Sequence, residues 1–427
     1  MKASRNQLSP WACVCLSAAA LLLAACAPST GEGNGAGNSA PPEAKTAWGE
    51  AIRLPEPYQT PSAGNGPTVI ERPNGARVQV PTGFSAEVVA SGFERPRAFL
   101  LGPSNEVLLT DAAPKGSVYV FSIGTDGKLS EPTKILDGLR TPYGMEYRDG
   151  YLYVAETTSV KRYKYDTKTR TATLPGEEVI DLSSAAGGHW TRNLLFNKDK
   201  TKLYLATGSR SNVDGGEIRL RASITRYNPD GSGQEYIAEG TRNPIGMEWN
   251  PITGDLWAAV QERDALGDDL VPDYLTHIQP GGFYGWPYAY IGPHEDPRRK
   301  GERPDLVAKT IVPDVPVQPH GAVLGFTFYT GTSFPAEYRN GVFLAYHGSW
   351  NRAKRVGYSL VFIPFGNDGK PTGPPRDFLT GFLLDPDSKD VWGRPVDVLQ
   401  LPDGSLLMSD DGGKVVWRIA YNAKQGK

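Results

Sequence analysis

The sequence predicts an all-β protein, a six-bladed β-propeller closed by an N-terminal outer strand, on three observations. Glycine and proline, at 49 and 36 residues, make up about a fifth of the 427-residue chain, against a usual level of about 12%. Aromatic residues are plentiful and long helix-period segments are absent, a pattern of many short strands joined by many turns. Strand-like runs also recur in six units of three to four strands, each about 45 to 75 residues long, which is the signature of radial repetition.

The units follow in order. RAFLLG (97–102), EVLLTD (106–111), SVYVFSI (117–123) and TKILDG (133–138) make the first. YGMEYRD, YLYVAET, SVKRYKY and EEVIDLS (143–183) make the second, and NLLFNKD, KLYLATG, SITRYNPDG and EYIAEG (193–240) the third. IGMEWNP, DLWAAVQ and DYLTHIQ (245–279) begin the fourth, LGFTFYT, VFLAYHG and YSLVFIPF (324–365) the fifth, and VDVLQLPDG, SLLMSDD and KVVWRIAY (396–421) the sixth. SAEVVASG (85–92) is an outer strand without a blade of its own and pairs with the C-terminal run to close the ring. A β-sandwich does not account for the sixfold regularity.

Before the propeller come two further segments. Lys2 and Arg5 precede an apolar run from Trp11 to Leu23, too short to span a bilayer comfortably and typical of a secretory signal peptide, assigned to residues 1–25. The run ends in LAAC, which resembles a bacterial lipobox with Cys26 as the lipidated first residue of the mature protein. Residues 26–50 are a flexible linker without apolar periodicity, and residues 51–427 form the propeller. No cysteine follows Cys26, so the exported domain has no disulfide and is held by its own core. These features predict an exported, membrane-anchored lipoprotein facing the periplasm or cell exterior. A net charge of −2 and a pI of about 6.3 argue against nucleic acid as a partner.

In a propeller with antiparallel strands, the loop leading into the innermost strand and the loop leaving the second strand lie on one face. Arg95, Arg97, Arg140, Arg192, Arg242 and Arg394 occupy the first kind of loop, with His189 and His320. The second kind carries Ser209, Arg210, the acidic run Gln261 to Asp269, HGSWNR (347–352) and SDDGG. Crowded like charges repel, so an anionic ligand is expected at this channel mouth, unless each arginine pairs with a neighbouring carboxylate. Glu262, Asp264, Asp268 and Asp269 share their loop with Gly267. On their own they read as a solvated acidic loop, but beside the arginines they suit a hard cation chelated with a polyanion. In GGHWTRN (187–193), His189 is one of five histidines. It is either a proton acceptor or a side chain bonded to a backbone carbonyl. P-loop, HExxH and nucleophile-elbow patterns are missing.

RNPIGMEWNP, ERDALGDDLVPDYLT, GGFYGWPYAYIG and HGSWNR together resemble the glucose/sorbosone dehydrogenase family, exported six-bladed propellers that use pyrroloquinoline quinone (PQQ) and calcium to oxidise sugars. The resemblance runs from about Val80 to Tyr421 and is stronger to the L-sorbosone dehydrogenase branch than to the soluble glucose dehydrogenases. It implies that His189 is the base taking the substrate hydroxyl proton, that Arg242 and Asn243 contact the quinone, and that Arg352 and Arg394 bind PQQ carboxylates. His320 is expected at the same pocket, and the calcium-binding carbonyls correspond to about Arg263 and Asp264. The three carboxylates of PQQ would explain the arginines.

The chain departs from the glucose branch where Gly188 and Ser209 replace acidic residues that orient the base, and where Ala112 replaces a polar cofactor contact. The implied function is oxidation of an aldose or sugar aldehyde, with a cytochrome or quinone as electron acceptor. Two alternatives are a non-catalytic propeller that binds glycans or anions, and a calcium-dependent lactonase, for which no inward carboxylate–amide set is evident in the sequence.

Overall fold

A computed structural model describes residues 44–124 and 128–422; the expected signal peptide, Cys26 and most of the expected linker lie outside the described residues. Six sheets of at least four strands repeat around a ring, as the six sequence units predict. Their innermost strands are Pro96–Leu101, Met145–Arg148, Arg192–Phe196, Asn243–Trp249, Val323–Phe328 and Pro395–Gln400, and each packs against the next until the sixth meets the first. The sixth blade is composite: Phe84–Ser91 pairs antiparallel with Val415–Tyr421 as its outermost strand.

Local sequence explains the inner strands. Pro96, Pro244 and Pro395 stand at or near their starts, where a strand edge facing the channel needs no ladder N–H. Each of these blades, with the fifth, shifts register by a bulge just after that start, which turns the first residues toward the mouth. Apolar faces of neighbouring blades interdigitate, as where Leu108, Val118 and Leu136 of blade one meet Met145, Leu152 and Val154 of blade two. Burial of these faces supplies the stability that no disulfide provides.

The channel holds a feature the sequence reading missed. Glu146, Asn193, Glu248 and Asp397 all point inward and line one cavity, so an inward carboxylate–amide set does exist. Its groups are spent on the backbone of the next blade: Asp397 accepts from Phe99 N–H (2.8 Å) and Glu248 from Phe328 N–H (3.0 Å). Asn193 donates to the Ile245 carbonyl (2.7 Å). Burial pushes Glu146 and Asp397 up to about 7 and Glu248 up to about 8.

Two segments lie outside the blades. Residues 278–314 of the fourth unit form a flap whose Gly282–Phe283 runs parallel to the outer strand Glu235–Glu239 of blade three. Residues 44–83 form a strap around the rim. Ala44 is buried, Lys45 bridges Ala51, and Ala47 N–H donates to the Asp314 carbonyl (2.8 Å). Residues 44–50, within what composition marked as linker, therefore make defined contacts with the rest of the domain.

Candidate active site

An acidic residue at the end of the second strand fixes the loop that carries an arginine. Asp111 accepts the Arg95 N–H (2.6 Å), Glu156 the Arg140 N–H (2.5 Å) and Asp410 the Arg394 N–H (2.6 Å). In the fourth blade Asp273 does the same work for two loops, accepting from Glu262 N–H and Ala322 N–H at 2.8 Å each, and burial pushes it up to about 7.

His189 sits on a loop turned by two left-handed glycines, Gly187 (φ 82°) and Gly188 (φ 61°). A Cβ at residue 188 would lie 2.3 Å from the Arg210 Cα, so no aspartate fits beside the histidine. Orientation comes from Ser209 instead: Nδ1 of His189 lies 2.8 Å from its carbonyl and 3.1 Å from its hydroxyl. The hydroxyl itself donates to the Ser211 carbonyl (2.6 Å). A carbonyl can only accept, so Nδ1 carries the proton and Nε2 keeps its lone pair. Nε2 has no hydrogen bond among the described residues. Burial, then the charge of Arg242, pushes the imidazole down to about 3, so it is neutral. The bond to a backbone carbonyl in GGHWTRN thus occupies Nδ1 and leaves Nε2 open.

Two arginines hold that loop. Arg192 is fully buried and donates to the carbonyls of Ala185 (2.6 Å), His189 (2.8 Å) and Thr191 (2.8 Å); burial, then Arg221, lowers it to about 9. Arg221 donates to the carbonyls of Ala186 (2.9 Å), Gly187 and Gly208 (2.9 Å). Sequence reasoning missed Arg221, which lies between strands in an irregular stretch; its only signal was a basic residue before SITRY.

His189 opens on a cavity of about 160 Å³ lined also by Arg242, Asp264, His320, Trp350 and Asn351. Arg242 donates to the Glu262 carbonyl (2.6 Å), the Asn212 side chain (3.0 Å) and the Asp264 carboxylate (2.9 Å). His320 Nε2 lies 2.9 Å from the Gly267 carbonyl, so Nδ1 accepts from Asn351 (3.0 Å), whose amide also reaches Asp264. Asn243 donates to Gln261 (2.9 Å), and its buried Oδ1 has no partner among the described residues.

Beside this cavity lies a second cluster. Asp411 accepts from Arg97 and from His347 Nε2 (2.8 Å). Burial raises Asp411, but His347 and Arg97 outweigh it and hold the carboxyl below the usual range. Burial, then Arg394, pushes His347 down to about 4. Arg394 gives its Nε to the His347 carbonyl (3.2 Å), and its two terminal nitrogens make no hydrogen bond among the described residues. Arg97 stands 5.1 Å over the Trp190 ring, which also packs on Tyr143. Trp190 therefore fills the rim.

The arginine ring is thus mixed. Arg97, Arg242 and Arg352 each have a carboxylate partner, Arg352 through Asp269 at 2.7 Å and the Asp268 carbonyl. Arg192, Arg221 and Arg394 form no ion pair among the described residues, and they leave a cationic surplus. That surplus and the unbonded ends of Arg394 fit a flat polyanion such as PQQ. Calcium fits less well at one of the two expected residues, Asp264. The Asp264 carbonyl accepts from Asn212 (3.0 Å) and from the Arg298 guanidinium (2.9 Å), and its carboxylate is tied to Arg242 and Asn351. The Arg263 side chain is buried between Glu262 and Asp296. No group of three or more His, Cys, Asp or Glu that could hold a metal occurs among the described residues.

Comparison with known proteins decides the family. The TrAA12-like family profile matches residues 78–278 and 304–422. The chain belongs to the TrAA12-like family. It is 24% identical over 259 residues to quinoprotein glucose dehydrogenase B of Acinetobacter calcoaceticus, covering 48% of this chain and 52% of that one. It is 22% identical over 403 residues to the PQQ-dependent pyranose dehydrogenase of Coprinopsis cinerea, covering 79% and 54%. The chain thus spans about half the length of these two relatives. A protein of Borreliella burgdorferi without an assigned function is 28% identical over 361 residues, covering 81% of this chain and 91% of that one. In three dimensions the chain is similar to the PQQ domain of the Coprinopsis enzyme (TM-score 0.70, 20% identity, 81% and 97% covered). It is equally similar to a Trichoderma reesei family AA12 protein (TM-score 0.70, 20% identity, 84% and 99% covered). At such identity these structural likenesses show the propeller fold.

Proposed function

We propose that this member of the TrAA12-like family is an exported, lipid-tethered dehydrogenase that oxidises an aldose or sugar aldehyde with PQQ as cofactor. The observation that carries the reading is His189 Nε2, a neutral acceptor without a partner among the described residues, on the histidine that lines a cavity in an arginine-rich mouth. The names of the family's relatives support the cofactor and the substrate class. Arg394 would hold the cofactor with Asn243 beside it, and Arg242 would first have to leave Asp264 to join them; PQQ supplies the two-electron acceptor for hydride from the sugar carbon. His189 accepts the hydroxyl proton at Nε2, Ser209 sets its tautomer, and Arg192 and Arg221 keep its loop in place. Arg352 would first have to leave Asp269 to take a share. No calcium step is assigned, because the donors of Asp264 are engaged. The electrons would pass on to a cytochrome or quinone.

The three arginine–carboxylate pairs, which offset charge that an anionic cofactor would need, favour a second reading, a propeller that binds glycans without chemistry. Titration of the purified apoprotein with PQQ, with and without a chelator, followed by dye reduction across a sugar panel, separates the two. Saturable PQQ binding with sugar-dependent reduction supports the enzyme; no PQQ binding in either condition supports the binding module.

A further inference from the structure

Among the described residues Trp350 is the one Phe, Tyr or Trp that lines the His189 cavity, and 51% of it remains exposed. Trp190, the tryptophan next to the histidine in sequence, is spent under Arg97 and against Tyr143. Trp350 has no ring partner and no side-chain hydrogen bond among the described residues, yet its backbone is held firmly. Asn65 of the N-terminal strap donates its N–H to the Trp350 carbonyl (2.7 Å). Its side-chain amide donates to the carbonyls of Arg352 (3.1 Å) and Ala353 (2.9 Å). Arg355 returns two bonds, to the Asn65 carbonyl (2.7 Å) and Oδ1 (2.9 Å). A large apolar ring left facing water on a rigid loop, beside a proton acceptor, is the arrangement of a ligand platform.

We propose that Trp350 is the stacking platform for the pyranose ring of the substrate, and that Asn65 is a positioning residue that sets the platform. This rests on the sugar-oxidising reading. One face of a pyranose is rich in C–H groups, which pack on an indole without needing hydrogen bonds, while the hydroxyl to be oxidised points at His189. Affinity would come from the stacked face and reaction from the histidine, so the two are separable by kinetics. The strap also places Thr60 Oγ1 2.7 Å from Asp268 N–H, and Tyr58 N–H donates to the Leu266 carbonyl (2.7 Å). One segment outside the blades thus braces both loops that flank the cavity.

In the PQQ-loaded full chain, Trp350→Ala is expected to raise KM for pyranoses about tenfold or more and leave kcat within a few-fold. Trp350→Phe should recover part of the loss. Asn65→Ala keeps the N–H bonded to Trp350 but removes the amide bonds to the Arg352 and Ala353 carbonyls; it should raise KM in the same direction, and the double variant should be no worse than Trp350→Ala alone, since both act through the Trp350 side chain. An unchanged KM in a folded Trp350→Ala protein overturns the proposal, and additive losses overturn the role of Asn65. If the wild type oxidises no sugar, the enzymatic reading has failed. The platform is then tested with 5-fluorotryptophan-labelled protein, whose Trp350 fluorine signal is assigned by its loss in Trp350→Phe. A shift of that signal on titration with glucose or another aldopyranose supports the platform; no shift at high millimolar sugar overturns it.

Discussion

The protonation of His189 is open to direct measurement. A histidine with its ordinary pKa of about 6.5 would be about 97% protonated at pH 5 and useless as a base there. Here burial and Arg242 lower the imidazole to about 3, so at pH 5 only about 1% carries a second proton by the same titration relation. kcat/KM should therefore lack an acid limb near pH 6.5 and stay flat for this group down to about pH 5. The neutral form is favoured in the fold, so the unfolded chain takes up a proton first. The stability contribution of His189 is present above the unfolded pKa and declines as pH falls below it. Nitrogen NMR on the five histidines reads both facts at once: His189, assigned by its loss in His189→Gln, should show a protonated Nδ1, a bare Nε2 and no titration between pH 5 and 8. Arg242→Gln removes the second-largest cause and should move the titration upward. A wild-type His189 that titrates near 6.5, or that carries its proton on Nε2, refutes the assignment of the base.

Three further outcomes are expected. Glu248 is pushed up to about 8 by burial, so the folded state binds its proton more tightly and stability falls as pH rises from about 4.5 through 8; Glu248→Gln should raise the melting temperature at pH 8.5 and have little effect at pH 5, and an equal shift at both pH values would count against it. Arg394→Ala removes a charge-assisted contact worth about 1.5–3 kcal/mol, so PQQ affinity measured by calorimetry should drop about ten- to a hundredfold; unchanged affinity removes Arg394 from the cofactor site. Native protein should partition with membranes, and Cys26→Ala should release it, whereas an unmodified soluble wild type rejects the lipid tether.

The blades were legible because each is a local event: alternating apolar runs, turns rich in glycine and proline, and a proline near the start of an inner strand. The convergence of His189, Arg242, Asp264 and His320 on one cavity was also legible, because propeller connectivity sends their loops to one face. Pairing was not. That Arg352 bonds Asp269, or that Arg298 reaches the Asp264 carbonyl from a flap over thirty residues away, depends on how loops fold back in space. Glu146, Glu248 and Asp397 were invisible for a different reason. Each lies in an inner strand where alternation marks it as outward and polar, yet outward for an inner strand is the channel.

The carboxylates that end the second strands have a further consequence. Asp111, Glu156 and Asp410 bind the backbone N–H of Arg95, Arg140 and Arg394 and leave the guanidinium groups out of that bond. The path of each loop is therefore set by a residue other than the one it displays. Another side chain at any of these three positions inherits the same anchor, so the rim can be rewritten one residue at a time without rebuilding the blade beneath it. For anyone redesigning this mouth toward a different anion, these are sockets, and the arginines are what is plugged into them.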